Sequence, residues 1–217
     1  MPVLTYIYIS FILIAFLSSL VSWRQGVALH FRIFSVLLGL AVVVESFAAF
    51  LGRSFHFGPF SRVYTIFLLL QFWVYGYFFY RVIWAAMLRR LILVFLVGFP
   101  LFWVVTESCF FGFLRWNPFV PIVGSFFTIV FVLLYYYELI TDREAPSLQR
   151  LPEFWIATGM LLFYLGALPY FGTLDFLVHR HLLAGSGVWV GVIRGLDIFM
   201  YGLIAWGYGA QWRRARW

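Results

Sequence analysis

The chain has 217 residues, of which 65% are hydrophobic, 24% aromatic and only 11% charged, where soluble domains carry about a quarter charged residues. With a mean hydropathy of +0.98, this composition excludes a soluble globular protein and predicts an integral membrane protein. All 15 basic residues behind the net charge of +7 are arginines scattered between apolar runs, so they are expected to report topology and not a nucleic-acid surface.

Further exclusions follow from residues that are absent. A retinal protein needs a lysine amine for its Schiff base, and this sequence has no lysine, so no retinal is expected and no other cofactor is called for. The single cysteine, Cys109, rules out an intrachain disulfide or a paired-thiol redox centre. At about 20 residues per crossing, seven crossings leave too little chain for a separate soluble domain. Residues 1–217 are therefore expected to form one transmembrane domain.

In chain order, the apolar runs predict seven spans at about 3–22, 33–51, 63–85, 91–107, 119–140, 153–176 and 187–209. The first lacks a basic leader and a small-residue cleavage site, which reads as an uncleaved span and not a signal peptide. The second carries Glu45 in its later half. The fourth contains Gly98-Phe99-Pro100, where proline removes a helical hydrogen bond and is expected to kink the helix. Trp23, Trp84, Trp103, Trp116, Trp155, Trp189 and Trp212 fall at span ends, as interfacial belts do.

Alternate connections divide the arginines unequally. One side gathers Arg24, Arg32, Arg81, Arg89, Arg90, Arg143, Arg150, Arg213, Arg214 and Arg216; the other has Arg53, Arg62, Arg115 and Arg180. Arginine-rich short loops stay cytoplasmic, so the fold class expected is an all-α bundle of seven transmembrane helices, amino terminus outside and carboxyl terminus cytoplasmic.

The candidate functional residues are the charges at membrane depth, which are costly there and need partners. Arg194 and Asp197 lie three apart on the seventh span with Tyr201 four further on, so the three share one stripe. Glu45 is the natural partner of Arg194, and a Glu45–Arg194–Asp197 cluster with Tyr201 is expected under an outward-facing cleft. It reads either as a self-neutralising pair that lets the helix insert, or as a recognition or switching site for an anionic ligand. Gly187, Gly191 and Gly195 form a small-residue ladder beside that stripe, expected at a tight helix contact within one chain or between two copies.

Near the end of the sixth span, Asp175, His179 and His181 offer metal donors, Asp175 and His179 at a helical i, i+4 spacing; in a hydrated loop such groups are more often simply solvated. No H-E-x-x-H and no G-x-S-x-G sequence occurs, and the serine in Gly185-Ser186-Gly187 has no helical histidine to activate it. A non-enzyme is expected. The breaks at Gly98-Phe99-Pro100 and Ala167-Leu168-Pro169 also fit the interrupted helices of a transporter, though the two halves show no matching sequence.

The run Tyr135-Tyr136-Tyr137-Glu138-Leu139, followed by Leu151-Pro152-Glu153-Phe154-Trp155-Ile156-Ala157-Thr158-Gly159-Met160-Leu161-Leu162-Phe163-Tyr164-Leu165-Gly166, resembles the small seven-helix membrane proteins of Bacteroidetes-type bacteria. The same pattern resembles the membrane region ahead of some of their sensor histidine kinases. The likeness covers chiefly residues 131–210, with Trp189, Arg194 and Asp197 standing for a final helix whose polar positions would be neutral in the pattern. It implies a non-enzymatic sensory or accessory signalling module in a bacterial inner membrane, acting through a histidine kinase or another signalling protein, with lipid and a second copy as further partners. Glu138, Pro152, Trp155, Gly159 and Gly166 match the motif and are expected to be structural, the two glycines as a packing face. Because the sequence ends at Trp217, no kinase is expected on this chain. A small transporter or a membrane subunit of a larger complex is the alternative.

Overall fold

A segment in hydrocarbon has no water to satisfy its N–H and C=O groups, so each apolar run closes its own hydrogen bonds as a helix. The computed structural model describes residues 2–23, 27–51, 59–111, 117–141, 148–179 and 186–214. They form α1 (Pro2–Trp23), α2 (Leu29–Leu51), α3 (Pro59–Val82), α4 (Ala86–Thr106), α5 (Phe119–Thr141), α6 (Pro152–His179) and α7 (Ser186–Arg214). A π-helical turn, Glu107–Phe111, extends α4, and a 3-10 turn, Leu148–Arg150, precedes α6. No strand occurs among the described residues.

Six of the helices, α1 to α6, are long and apolar enough to cross a membrane. The seventh, α7, is the longest at 29 residues, but Arg194, Asp197 and six glycines dilute its apolar character. It nevertheless packs along both α6 and α1. The neighbour relations α1–α2, α2–α3, α3–α5, α5–α6, α6–α7 and α7–α1 close a ring of six helices, with α4 outside it against α3 and α5. Exposed Leu91, Val94, Val97, Leu101 and Val105 line the outer side of α4. The interior is aromatic: Phe34, Phe72, Phe78, Phe79, Tyr164 and Tyr208 are fully buried. Rings meet mostly edge-on or tilted, as Phe72 does with Tyr75, Phe99 and Tyr164, in keeping with the ring quadrupole.

Glycines set the closest approaches. A Cβ on Gly159 of α6 would sit 3.0 Å from the Met200 carbonyl oxygen of α7, and one on Gly207 would sit 2.9 Å from that of Pro152. Gly166 likewise lies against Leu196, so α6 and α7 run antiparallel with Gly159 and Gly166 on their shared face. Within the chain, the α7 ladder is not what meets α6: among the described residues nothing lies within 4 Å of a Cβ placed on Gly191 or Gly195, because α7 turns Leu196, Met200 and Leu203 toward α6 instead. Of Gly187 only the backbone is described.

Two helix interruptions are repaired locally. Pro100 sits inside a continuous α4 and cannot donate to the Leu96 carbonyl, as a residue four positions on normally would. The Trp73 indole N–H of α3 donates to that oxygen instead, at 3.1 Å. Replacing Trp73 with Phe is expected to cost about 1–2 kcal/mol by leaving the carbonyl unpaired; unfolding titrations in mixed micelles would read it. Pro169 also lies within a continuous α6, so neither proline marks the broken helix of a transporter repeat. In the tight turn between α3 and α4, the backbone N–H groups of Trp84 and Ala85 donate to the buried Glu138 carboxylate, at 3.1 and 2.6 Å. Glu138 is therefore a structural clasp that joins α5 to this turn.

Candidate functional site

Four helices bring polar side chains to one level of the bundle, near the end at which α1 begins. Tyr8 lies six residues into α1, Glu45 six residues before the end of α2, and Tyr64 five residues into α3. At 1.5 Å per residue each is about 8–9 Å from its helix terminus. Arg194 and Asp197 enter on the first half of α7, about one helical turn apart. Only the antiparallel arrangement puts these five at one depth.

Arg194 is the centre. One of its terminal nitrogens, Nη1, stands 3.7 Å from Glu45 Oε2 and 3.8 Å from Asp197 Oδ2. Its guanidinium carbon lies 4.1 Å over the Tyr8 ring, a cation–π placement that gains strength away from water. The Tyr64 hydroxyl donates to Glu45 Oε1 at 3.4 Å, and the Tyr8 side chain lies close to the same carboxylate. The two carboxylate side chains are 10% exposed and that of Arg194 is 27% exposed, so Arg194 is the most accessible member of the cluster. Tyr201, buried, has its ring 6.0 Å from that of Tyr8 and forms the floor.

A second polar group continues inward. Gln71 Nε2 donates to the hydroxyls of Tyr75 at 2.9 Å and Tyr164 at 3.0 Å. The charge of Asp197 is felt at Tyr75, Tyr164 and Tyr201. Beyond them the interior becomes apolar. Phe34 stacks on Tyr75, and Phe34, Phe78 and Phe79 pack in succession. The next polar contact along α7 is at the opposite end of the bundle, where the Tyr208 hydroxyl donates to the Phe31 carbonyl at 3.0 Å.

The structure thus brings together all four of the residues expected as a cluster, Glu45, Arg194, Asp197 and Tyr201. It does not bring Glu138 near them. Of the other candidates, His181 lies outside the described residues, as do Arg24, Arg53, Arg115, Arg143, Arg180 and Arg216, and only the backbone of Asp175 and His179 is described. Among the described residues no group of three His, Cys, Asp or Glu could hold a metal ion.

Sequence reasoning missed Tyr8, Tyr64, Gln71 and Tyr164, because tyrosines in a phenylalanine-rich chain carry no local mark of which ones face a charge. It also missed Glu107. Buried in the π-helical turn after α4, Glu107 accepts a hydrogen bond from Asn117 Nδ2 at 2.9 Å, while the Asn117 side-chain oxygen caps α5 by accepting from the Phe119 N–H. An acid at the very end of an apolar run looks solvated until the next helix covers it.

An all-helical chain with six helices apolar enough to cross a bilayer, an aromatic interior and a buried ionic cluster is a multi-pass membrane protein. The chain matches no protein-family model, no curated protein and no solved structure.

Proposed function

We propose that this is a non-enzymatic sensory or accessory signalling module of the bacterial inner membrane, with seven spans, its amino terminus outside and its carboxyl terminus in the cytoplasm. The observation that carries this reading is the Glu45–Arg194 bridge between α2 and α7 at one end of the bundle. The same two helices are joined again at the other end through Tyr208 and Phe31. Helix α7 runs unbroken between the two joints and on to Arg214, about 30 Å from Arg194. A change in the outer joint is therefore transmitted along one rod to a basic inner end. In population terms, the stimulus has different affinities for two packings of α7 and biases them accordingly.

Two further points support a module over a conduit. The polar groups fill the outer half of the bundle, and the Phe34, Phe78 and Phe79 layer follows them. Glu138, the acid that a transport path would need at the inner side, is committed to two backbone donors. The likeness of residues 131–210 to the membrane regions ahead of histidine kinases supports a kinase or similar signalling protein as the partner.

Purification of the tagged protein from native membranes in gentle detergent tests the reading. A histidine kinase or regulator is expected to co-purify in near-equal amount, and replacing Arg213 and Arg214 together by Ala is expected to cut its recovery several-fold. A monomer carrying a stoichiometric solute and no protein partner would instead establish the transporter. A reporter active only in the cytoplasm, fused after residue 217, is expected to be active; silence would refute the seven-span topology.

A further inference from the structure

We propose that Glu45 and Asp197 together bind one proton, and that the ligand read at the outer cluster is the proton. The charge count leads there. Two buried carboxylates meet one guanidinium nitrogen, which leaves the cluster one negative charge in excess when both acids are ionised. Among the described residues, the ion pairs of both carboxylates are with Arg194. The other described ionisable groups around the cluster include tyrosines from four helices: Tyr8 from α1, Tyr64 and Tyr75 from α3, Tyr164 and Tyr170 from α6 and Tyr201 from α7. A phenol donates a hydrogen bond to a carboxylate but brings no positive charge.

An uncompensated charge in a low-dielectric interior is costly, and an ionisable group there neutralises itself in preference to bearing the cost. Two carboxylates that share a site cannot readily both ionise, and the proton they hold belongs to the pair. A proton also needs no cavity, which suits side chains this closely packed. Arg194 is the most exposed member, so the cluster opens to its surroundings along that side chain. Glu45 already has the Tyr64 hydroxyl as a donor and Arg194 as its ion partner from another helix, whereas the ionic contact of Asp197 is with Arg194 on its own helix. Gain or loss of the proton therefore changes how strongly Arg194 is held to Glu45 of α2. The proton's role as a signal rests on the sensory reading above; its binding does not.

The test is infrared spectroscopy of the protonated-carboxyl stretch, with the full-length protein in lipid nanodiscs titrated through acidic and neutral pH. Wild-type protein is expected to show a band equivalent to one carboxylic acid, beyond whatever Glu107 contributes, which an E107Q control identifies. The band should vanish in both Asp197→Asn and Glu45→Gln, because either leaves a neutral carboxylate–arginine pair. In Arg194→Gln it should double at the same pH, since two acids then lack a counter-charge. Far-UV circular dichroism and gel filtration establish folding, and if R194Q fails to fold the two acid variants decide alone. Absence of the wild-type band, or its survival in either acid variant, overturns the proposal. Should the band behave as expected while the partner's output ignores external pH, the proton site stands and the sensory reading falls.

Discussion

Arg194→Met is expected to be among the most destabilising single substitutions in the bundle, by about 3–5 kcal/mol near neutral pH. The cost comes less from the lost attraction than from what remains: Glu45 and Asp197, both buried, would face each other with no cation between them. The loss should shrink as the medium is acidified, because without the cation both carboxyls must hold protons to stay buried, and holding them costs less as pH falls toward the free carboxylate range. Asp197→Asn provides the contrast. It leaves Glu45 paired with Arg194 and should cost about 1 kcal/mol or less, within the ordinary range for a hydrogen-bonding side chain kept in place. Reversible unfolding in mixed micelles, followed by tryptophan fluorescence, measures both. Equal losses for R194M and D197N would mean that charge balance is not what holds the cluster.

The second large effect concerns the seam between α6 and α7. Gly159→Leu is expected to cost about 3 kcal/mol, at the upper end for overpacking a close contact, because its Cβ would stand 3.0 Å from a backbone oxygen and 3.2 Å from the Leu203 Cβ, neither of which can swing aside. The helices must separate, and a seam between α7 and its neighbour is lost along with the stability. Gly195→Leu, on a helix position with open space around it, should leave unfolding essentially unchanged. A reversal of this pair would restore the glycine ladder of α7 as the true contact.

The two predictions mark where local pattern ends and three-dimensional arrangement begins. Runs of apolar residues are a local property, and the rule that buried backbone must pair with itself turns each run into a helix whatever its neighbours do. Hence the seven helices lie where the apolar runs do, and differ mainly by extending past them: α7 reaches Arg214 where apolarity fades near 209. Helical spacing likewise sufficed to place Arg194, Asp197 and Tyr201 on one stripe, and the high cost of lone charges in a membrane was enough to pair Arg194 with Glu45 across 149 positions.

Which face of a helix meets which partner was not legible in this way. Gly159, Gly166, Gly191 and Gly195 are alike as sequence, and only the rotation of α7 against α6 separates the two that are seams from the two that are open. Tyr8 and Tyr64 become partners of Glu45 because α1 and α3 bring them to its depth, and Trp73 reaches the carbonyl freed by Pro100 because α3 lies beside α4. The physical reason is the same throughout. Periodicity and hydropathy act within one helix, whereas helix rotation and neighbour choice minimise the packing and electrostatic energy of all seven together, a sum that only the folded bundle evaluates.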